Sequence, residues 1–152
     1  MFKRCRLKAI IETSKNSKVK YELKNNKLVL DERTHIKFPA NYGFIPDTYY
    51  YDKDNLDVMV IGIKLKPKQK VEVRAIGLIE MIDNGARDDK VLAVLKNSKI
   101  KTINDVSKDL LNRIRYFLMH YKPNTKVFKY ANLEKTKEAI KKSINLFKKN
   151  VL

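Results

Sequence analysis

The chain has 152 residues, 43% of them hydrophobic, and a formal net charge of +17. That length suits one domain, residues 1–152, with a core of ordinary size. No apolar stretch approaches the ~20 residues of a membrane span, and a single cysteine, Cys5, excludes an internal disulfide. The cation excess has a plain reading, a solvated lysine-rich surface, and a functional one, a polyanionic partner such as nucleic acid or a small phosphate compound. The opening segment, MFKRCRLKAIIE, breaks its apolar run with charges, whereas a secretory leader needs ~7–15 uninterrupted apolar residues. No leader is expected, and the expected location is cytoplasmic.

Residues 6–12, 19–23 and 27–31 read as strands, with KNNK turning between the last two. Residues 34–57 read as irregular, because FPANYGFIPD holds two prolines and a glycine. VMVIGI (58–63) reads as a buried strand, KPKQ as a turn, VEVRAIGLIEMI (71–82) as a long strand and VLAVL (91–95) as another. The apolar period then becomes helical. Leu110, Leu111, Ile114, Phe117, Leu118 and Tyr121 share one helix face, with Ser107 as its N-cap. His120 on that helix reads as packing. KVFKY (126–130) reads as a strand, and a closing helix follows Asn132, its cap, with apolar residues at 133, 140, 144 and 147. Lys135, Lys137, Lys141, Lys142, Lys148 and Lys149 form its solvated face. Short strands followed by late helices predict a mainly β, α+β fold: a small β-barrel with flanking helices.

Six of the ten aspartates fall in two short runs, 52–57 and 83–89. The first precedes an apolar strand and the second follows one. Neighbouring strands of a barrel would bring those ends together, so that four or more carboxylates meet in one pocket. Such crowding is costly without cations, and oxygen donors with no nearby His or Cys suit Mg²⁺, Mn²⁺ or Ca²⁺ better than Zn²⁺. A calcium-binding EF-hand loop starting at Asp52 would need an oxygen ligand, a glycine and a glutamate where the chain has Leu56, Asp57 and Ile63. An aspartyl-phosphatase pair would follow its apolar strand, whereas Asp52–Asp57 precedes one.

DKDNLDV resembles the D-x-D-x-x-D signature of soluble family I inorganic pyrophosphatases. IIE and KYE match that family's amino-terminal acidic and lysine positions, FPANYGFIP its tyrosine-bearing loop, MIDNGARDDK its Asp-Asp-Lys pattern, and HYK its Tyr-Lys pair. The matches run in order from about residue 10 to about residue 122. The resemblance implies a five-stranded closed OB-like barrel with two main helices. It implies a Mg²⁺-dependent inorganic diphosphatase, with several Mg²⁺ ions as cofactors and Mn²⁺ as an alternative. Pyrophosphate would be hydrolysed to two phosphates by direct attack of metal-bound hydroxide, without a covalent phosphoenzyme. A homo-oligomer is implied, with a hexamer favoured.

By that resemblance Asp52, Asp57 and Asp88 hold the metals that activate water, Asp57 bridging two ions, and Asp83 and Asp88 hold a metal that arrives with substrate. Asp54 holds the nucleophilic water and accepts its proton, and Glu12 and Glu22 act on a further metal. Lys20, Tyr42, Lys90, Tyr121 and Lys122 hold the phosphates, the lysines as point charges and the tyrosines as neutral donors. Three positions depart from the pattern. Phe38 stands where the family usually has tyrosine, Asn55 replaces a common proline, and the phosphate-binding arginine falls out of register. Arg33, nine residues before Tyr42, is the candidate for it, with Arg87 its competitor. The rival reading is a non-enzymatic OB-type barrel binding nucleic acid through basic residues and Tyr49–Tyr51. Two aspartate runs in one groove count against that partner.

Overall fold

The structure, a computed structural model, describes residues 6–51 and 53–151. It opens with β1 (Arg6–Thr13), β2 (Val19–Lys24) and β3 (Lys27–Arg33). Asn25 and Asn26 turn the β2–β3 hairpin with φ of 51° and 62°. Two consecutive left-handed residues are what a tight hairpin with twisted strands requires, and asparagine tolerates them better than most residues.

The segment expected to be irregular instead contains β4 (Asn41–Ile45). Pro39 and Pro46 flank this strand and do not interrupt it. Its Gly43 pairs with Ile11 of β1, and a Cβ there would lie 1.9 Å from the Ile10 carbonyl oxygen. Glycine is therefore the residue that lets β1 and β4 pair, and not a sign of a loop.

β5 (Leu56–Ile61), β6 (Lys70–Asp83), a two-residue β7 (Ala86–Arg87) and β8 (Lys90–Leu95) follow. A 3-10 turn at Ile103–Asp105 leads to α1 (Lys108–His120), β9 (Thr125–Ala131) and α2 (Leu133–Val151). β7 and the 3-10 turn are too short to leave a periodic signal in the sequence. Both expected caps are present: Ser107 Oγ accepts from Leu110 N–H at 3.2 Å, and Asn132 Oδ1 from Lys135 N–H at 3.0 Å.

The pairings β1–β4, β4–β5, β5–β8, β8–β6 and β6–β1 close a ring of five strands, as the barrel expectation requires. Within the ring only β5–β8 is parallel. β6 pairs with β1 through Lys70–Arg74 and with β9 through Leu78–Asp83, so one long strand serves two partners. β5 and β8 are apolar on both faces. Leu56, Val58, Val60, Val91 and Ala93 pack in one cluster with Ile140 of α2. Met59, Ile61, Leu92 and Val94 pack in a second with Ile114, Phe117 and Leu118 of α1. Burial on both sides explains why VMVI and VLAV are continuous apolar runs and not alternating ones. Each fully buried side chain of this kind contributes about 1.5–3 kcal/mol.

Candidate active site

The parallel register of β5 and β8 sets Asp57 opposite Lys90. Lys90 Nζ donates to Asp57 Oδ2 and to Asp88 Oδ2, each at 2.7 Å, and the lysine is 1% exposed. Burial alone would push the ammonium pKa down; Asp57, Tyr42 and Asp88 overturn that and hold it well above its usual value. Burial likewise favours a neutral Asp57, but the charge and hydrogen bond of Lys90 bring that carboxyl below the usual range. Lys90 is therefore a cation clamped between two anions, and removing one member would leave uncompensated buried charge.

Tyr42 lies beneath two cations, with Lys20 Nζ and Lys90 Nζ 5.6 and 5.5 Å from its ring centre. Burial and the neighbouring Asp57 raise its phenol well above the ordinary range, so it serves as a neutral donor. Lys20, on β2, pairs with Asp31 at 3.0 Å. Tyr121 caps α1 and stacks on Phe117, with centroids 4.9 Å apart and planes at 14°. Its hydroxyl is buried beside Lys122, the charged group nearest to it in the chain. Lys122 pairs with Asp83 and lies 5.3 Å from the Tyr121 ring centre.

Beside this cluster, Glu12, Glu22, Asp54 and Asp57 line a cavity of about 370 Å³ with Phe44 and Asn55. Glu12 Oε2 accepts from Leu23 N–H at 2.8 Å. Burial pushes its pKa up to about 7; the Leu23 bond opposes this, while the charges of Asp57 and Glu22 add to it. Four carboxylates do share one pocket, but two come from β1 and β2 and not from the aspartate runs. The runs meet through Lys90, which joins Asp57 to Asp88, while Asp83 is drawn to Lys122. Among the described residues no three carboxylates already stand as a coordination shell. The Asp52 assignment lies outside the described residues.

Arg33 is the last residue of β3, exposed and paired in register with Val19. Arg87 turns elsewhere: Nη2 and Nε bind Asp89 Oδ2 at 2.6 and 3.2 Å. Phe38 is fully buried against Phe117 and Tyr42, with centroids at 4.4 and 5.7 Å, so its ring fills the core where a hydroxyl would need a partner. His120 is exposed and pairs with the Tyr116 ring at 4.3 Å; it is a surface residue and not a core one, because it faces away from the Ile114–Phe117–Leu118 stripe.

Three supporting residues have no role that the sequence reveals. Asp31 pairs with Lys20. Asp89 is buried beside Asp88. Asn41 is fully buried and uses its amide to accept from Lys15 and Leu65 N–H and to donate to the Val60 and Ile63 carbonyls, which fixes the start of the strand bearing Tyr42.

Residues 9–148 match the pyrophosphatase family, described as inorganic pyrophosphatase. The chain is 36% identical to the inorganic pyrophosphatase of Saccharolobus solfataricus, across 91% of this chain and 90% of that one. An inorganic pyrophosphatase structure from Coxiella burnetii superposes with a TM-score of 0.89 at 33% identity, covering 96% of this chain and 97% of that one. A Helicobacter pylori inorganic pyrophosphatase superposes with a TM-score of 0.90 at 30% identity, covering 97% and 96%.

Proposed function

This chain belongs to the inorganic pyrophosphatase family, and on that premise we propose that it hydrolyses pyrophosphate to two phosphates with Mg²⁺ as its cofactor. The observation that carries the reading is Lys90, buried between Asp57 and Asp88 beside a cavity lined by four carboxylates. A site for phosphate alone would not gather carboxylates, and a site for metal alone would not bury a lysine among them. Pyrophosphate with its cations needs both.

The donor set fits a hard divalent ion. It is all oxygen, and the elevated pKa of Glu12 reflects burial together with carboxylates crowded around it. Glu12, Glu22, Asp52, Asp57, Asp83 and Asp88 would hold Mg²⁺, with Mn²⁺ able to substitute. Such ions, when bound, neutralise phosphate charge and lower the pKa of water.

The chain's own groups do the rest. Asp54 lines the cavity, where its carboxylate orients the attacking water and takes its proton. Lys20, Lys90 and Lys122 place fixed positive charge on the phosphates, and Tyr42 and Tyr121 donate neutral hydroxyls. Arg33 offers a planar fork to phosphate oxygens. The water oxygen bonds to one phosphorus, the bridging P–O bond breaks, and no phosphoenzyme forms. The reading extends to a cytoplasmic homo-oligomer, a hexamer, which sedimentation would test. Among the described residues no helix is long and apolar enough to cross a membrane.

Phosphorus NMR tests the activity directly. With Mg²⁺ the pyrophosphate resonance should convert to phosphate alone, and EDTA should stop the conversion. A pyrophosphate signal that persists in millimolar Mg²⁺ refutes the reading.

A further inference from the structure

Asp89 lies between Asp88 and Lys90 in the chain, but its carboxylate bonds Met81, Tyr50 and Arg87, whereas that of Asp88 bonds Lys90. The Asp89 side chain is 0% exposed. Oδ1 accepts from Met81 N–H at 3.0 Å, and Oδ2 accepts from the Tyr50 hydroxyl as well as from Arg87. Arg87 supplies the countercharge that a buried carboxylate requires. Met81 and Arg87 lie on the same β6–β8 segment as Asp89, whereas Tyr50 comes from 39 residues away.

Tyr50 anchors Lys53 and Asp54. Its ring is 4% exposed in the core. Its N–H donates to the Asp54 carbonyl at 2.8 Å, and its own carbonyl accepts from Lys53 N–H at 2.9 Å, so its backbone closes the loop that carries Asp54. The flanking residues are held by α2: Tyr49 N–H donates to the Ser143 carbonyl at 2.9 Å, and Lys142 Nζ contacts the Tyr51 hydroxyl. Within the loop Lys53 has a φ of 64°. A lysine adopts that backbone only where its surroundings impose it, at a cost of about 1–3 kcal/mol.

We propose that Asp89 is a positioning residue: through Tyr50 it fixes the spacing between the Asp54 loop and the Asp88–Lys90 segment, and so sets the Mg²⁺ affinity of the site. The two carboxylate-bearing segments lead into different strands, β5 and β8, and the Asp89–Tyr50 hydrogen bond is a side-chain tie between them. Partners that orient metal ligands directly are worth about 10–100-fold in metal affinity, and this tie acts one step further out, between the segments that lead to Asp57 and Asp88, so the low end of that range is expected. The proposal rests on the pyrophosphatase reading for its functional meaning.

Tyr50→Phe removes the tie and leaves Asp89 its bonds to Arg87 and Met81. Tyr130→Phe is the matched control, deleting a part-buried hydroxyl that donates to the Leu111 carbonyl. Mg²⁺ is titrated calorimetrically without substrate, and turnover is followed against Mg²⁺. Tyr50→Phe should raise the half-saturating Mg²⁺ concentration about 10-fold in both, with the KM for pyrophosphate at saturating Mg²⁺ unchanged. Asp89→Asn should shift it the same way, and Tyr130→Phe should not. A Tyr50→Phe protein that titrates as wild type overturns the proposal, as does an equal shift in both phenylalanine variants. If wild type hydrolyses no pyrophosphate yet Tyr50→Phe still weakens Mg²⁺ binding, the activity reading fails and the positioning role stands.

Discussion

Arg33 and Arg87 separate what a residue type suggests from what its surroundings allow. Both are arginines close in sequence to site residues, but Arg87 is committed to Asp89 on the far side of the second aspartate run. Arg33 ends the hairpin that carries Lys20 and Glu22, and only an arginine gives a bidentate, permanently charged fork. At saturating Mg²⁺, Arg33→Ala should lose about 10-fold or more in kcat/KM, or about 1.4 kcal/mol of transition-state stabilisation, while Arg87→Ala loses much less. Steady-state kinetics of the two variants decide the matter, and the reverse ranking would transfer the phosphate-binding role to Arg87. The stretches that bring Asp57 to Lys90 stood out in the sequence because a carboxylate and a lysine report their chemistry by type. Asp89 did not, because a carboxylate beside Asp88 looks the same in sequence whether it faces the cavity or Tyr50. Which way it faces shows only in its bonds to Tyr50, Arg87 and Met81, two of them to neighbours that the chain order does not bring together by any period.

At the scale of elements, the strands and helices with a clear period appeared where expected, and the exception was β4. Its FPANYGFIP stretch carries the composition of a loop, but each special residue acts at an edge or a contact. The close approach at Gly43 provides the test. A methyl group there would meet the Ile10 carbonyl at 1.9 Å, and backbone cannot yield as a side chain tip would, so β1 and β4 must separate. Gly43→Ala should destabilise the protein by about 3 kcal/mol or more, read from the midpoint of urea unfolding. A loss under about 1 kcal/mol would mean the strands shift freely and that the ring is looser than described. Because β4 also carries Tyr42, the same variant should lose activity in proportion.

For the whole molecule, the formal charge of +17 invites a nucleic-acid reading that the structure weakens. Of Tyr49–Tyr51, Tyr50 is buried in the core, and Tyr51, 46% exposed, is engaged by Lys142 and Arg87. Single-stranded nucleic acid should therefore bind only weakly and be released by moderate salt, with a slope of about −0.7 per phosphate contact. Tight binding at physiological salt, measured by fluorescence anisotropy, would favour the rival.

Metal should instead couple to the fold. An ion that binds only the native state at 100-fold over its Kd adds about 2.7 kcal/mol, so millimolar Mg²⁺ should raise Tm by about 5 °C or more over EDTA. An unchanged melt would contradict the metal site. The Asp57–Lys90–Asp88 cluster is the proposed reacting centre. Its most direct test is the rate of phosphate release from pyrophosphate by Asp57→Asn at saturating Mg²⁺, beside Asp105→Asn, whose carboxylate only caps the exposed turn at Ile103. Asp57→Asn should fall about 100-fold or more below wild type while Asp105→Asn keeps wild-type turnover; equal activity in the two variants would mean that the reaction does not take place at Asp57.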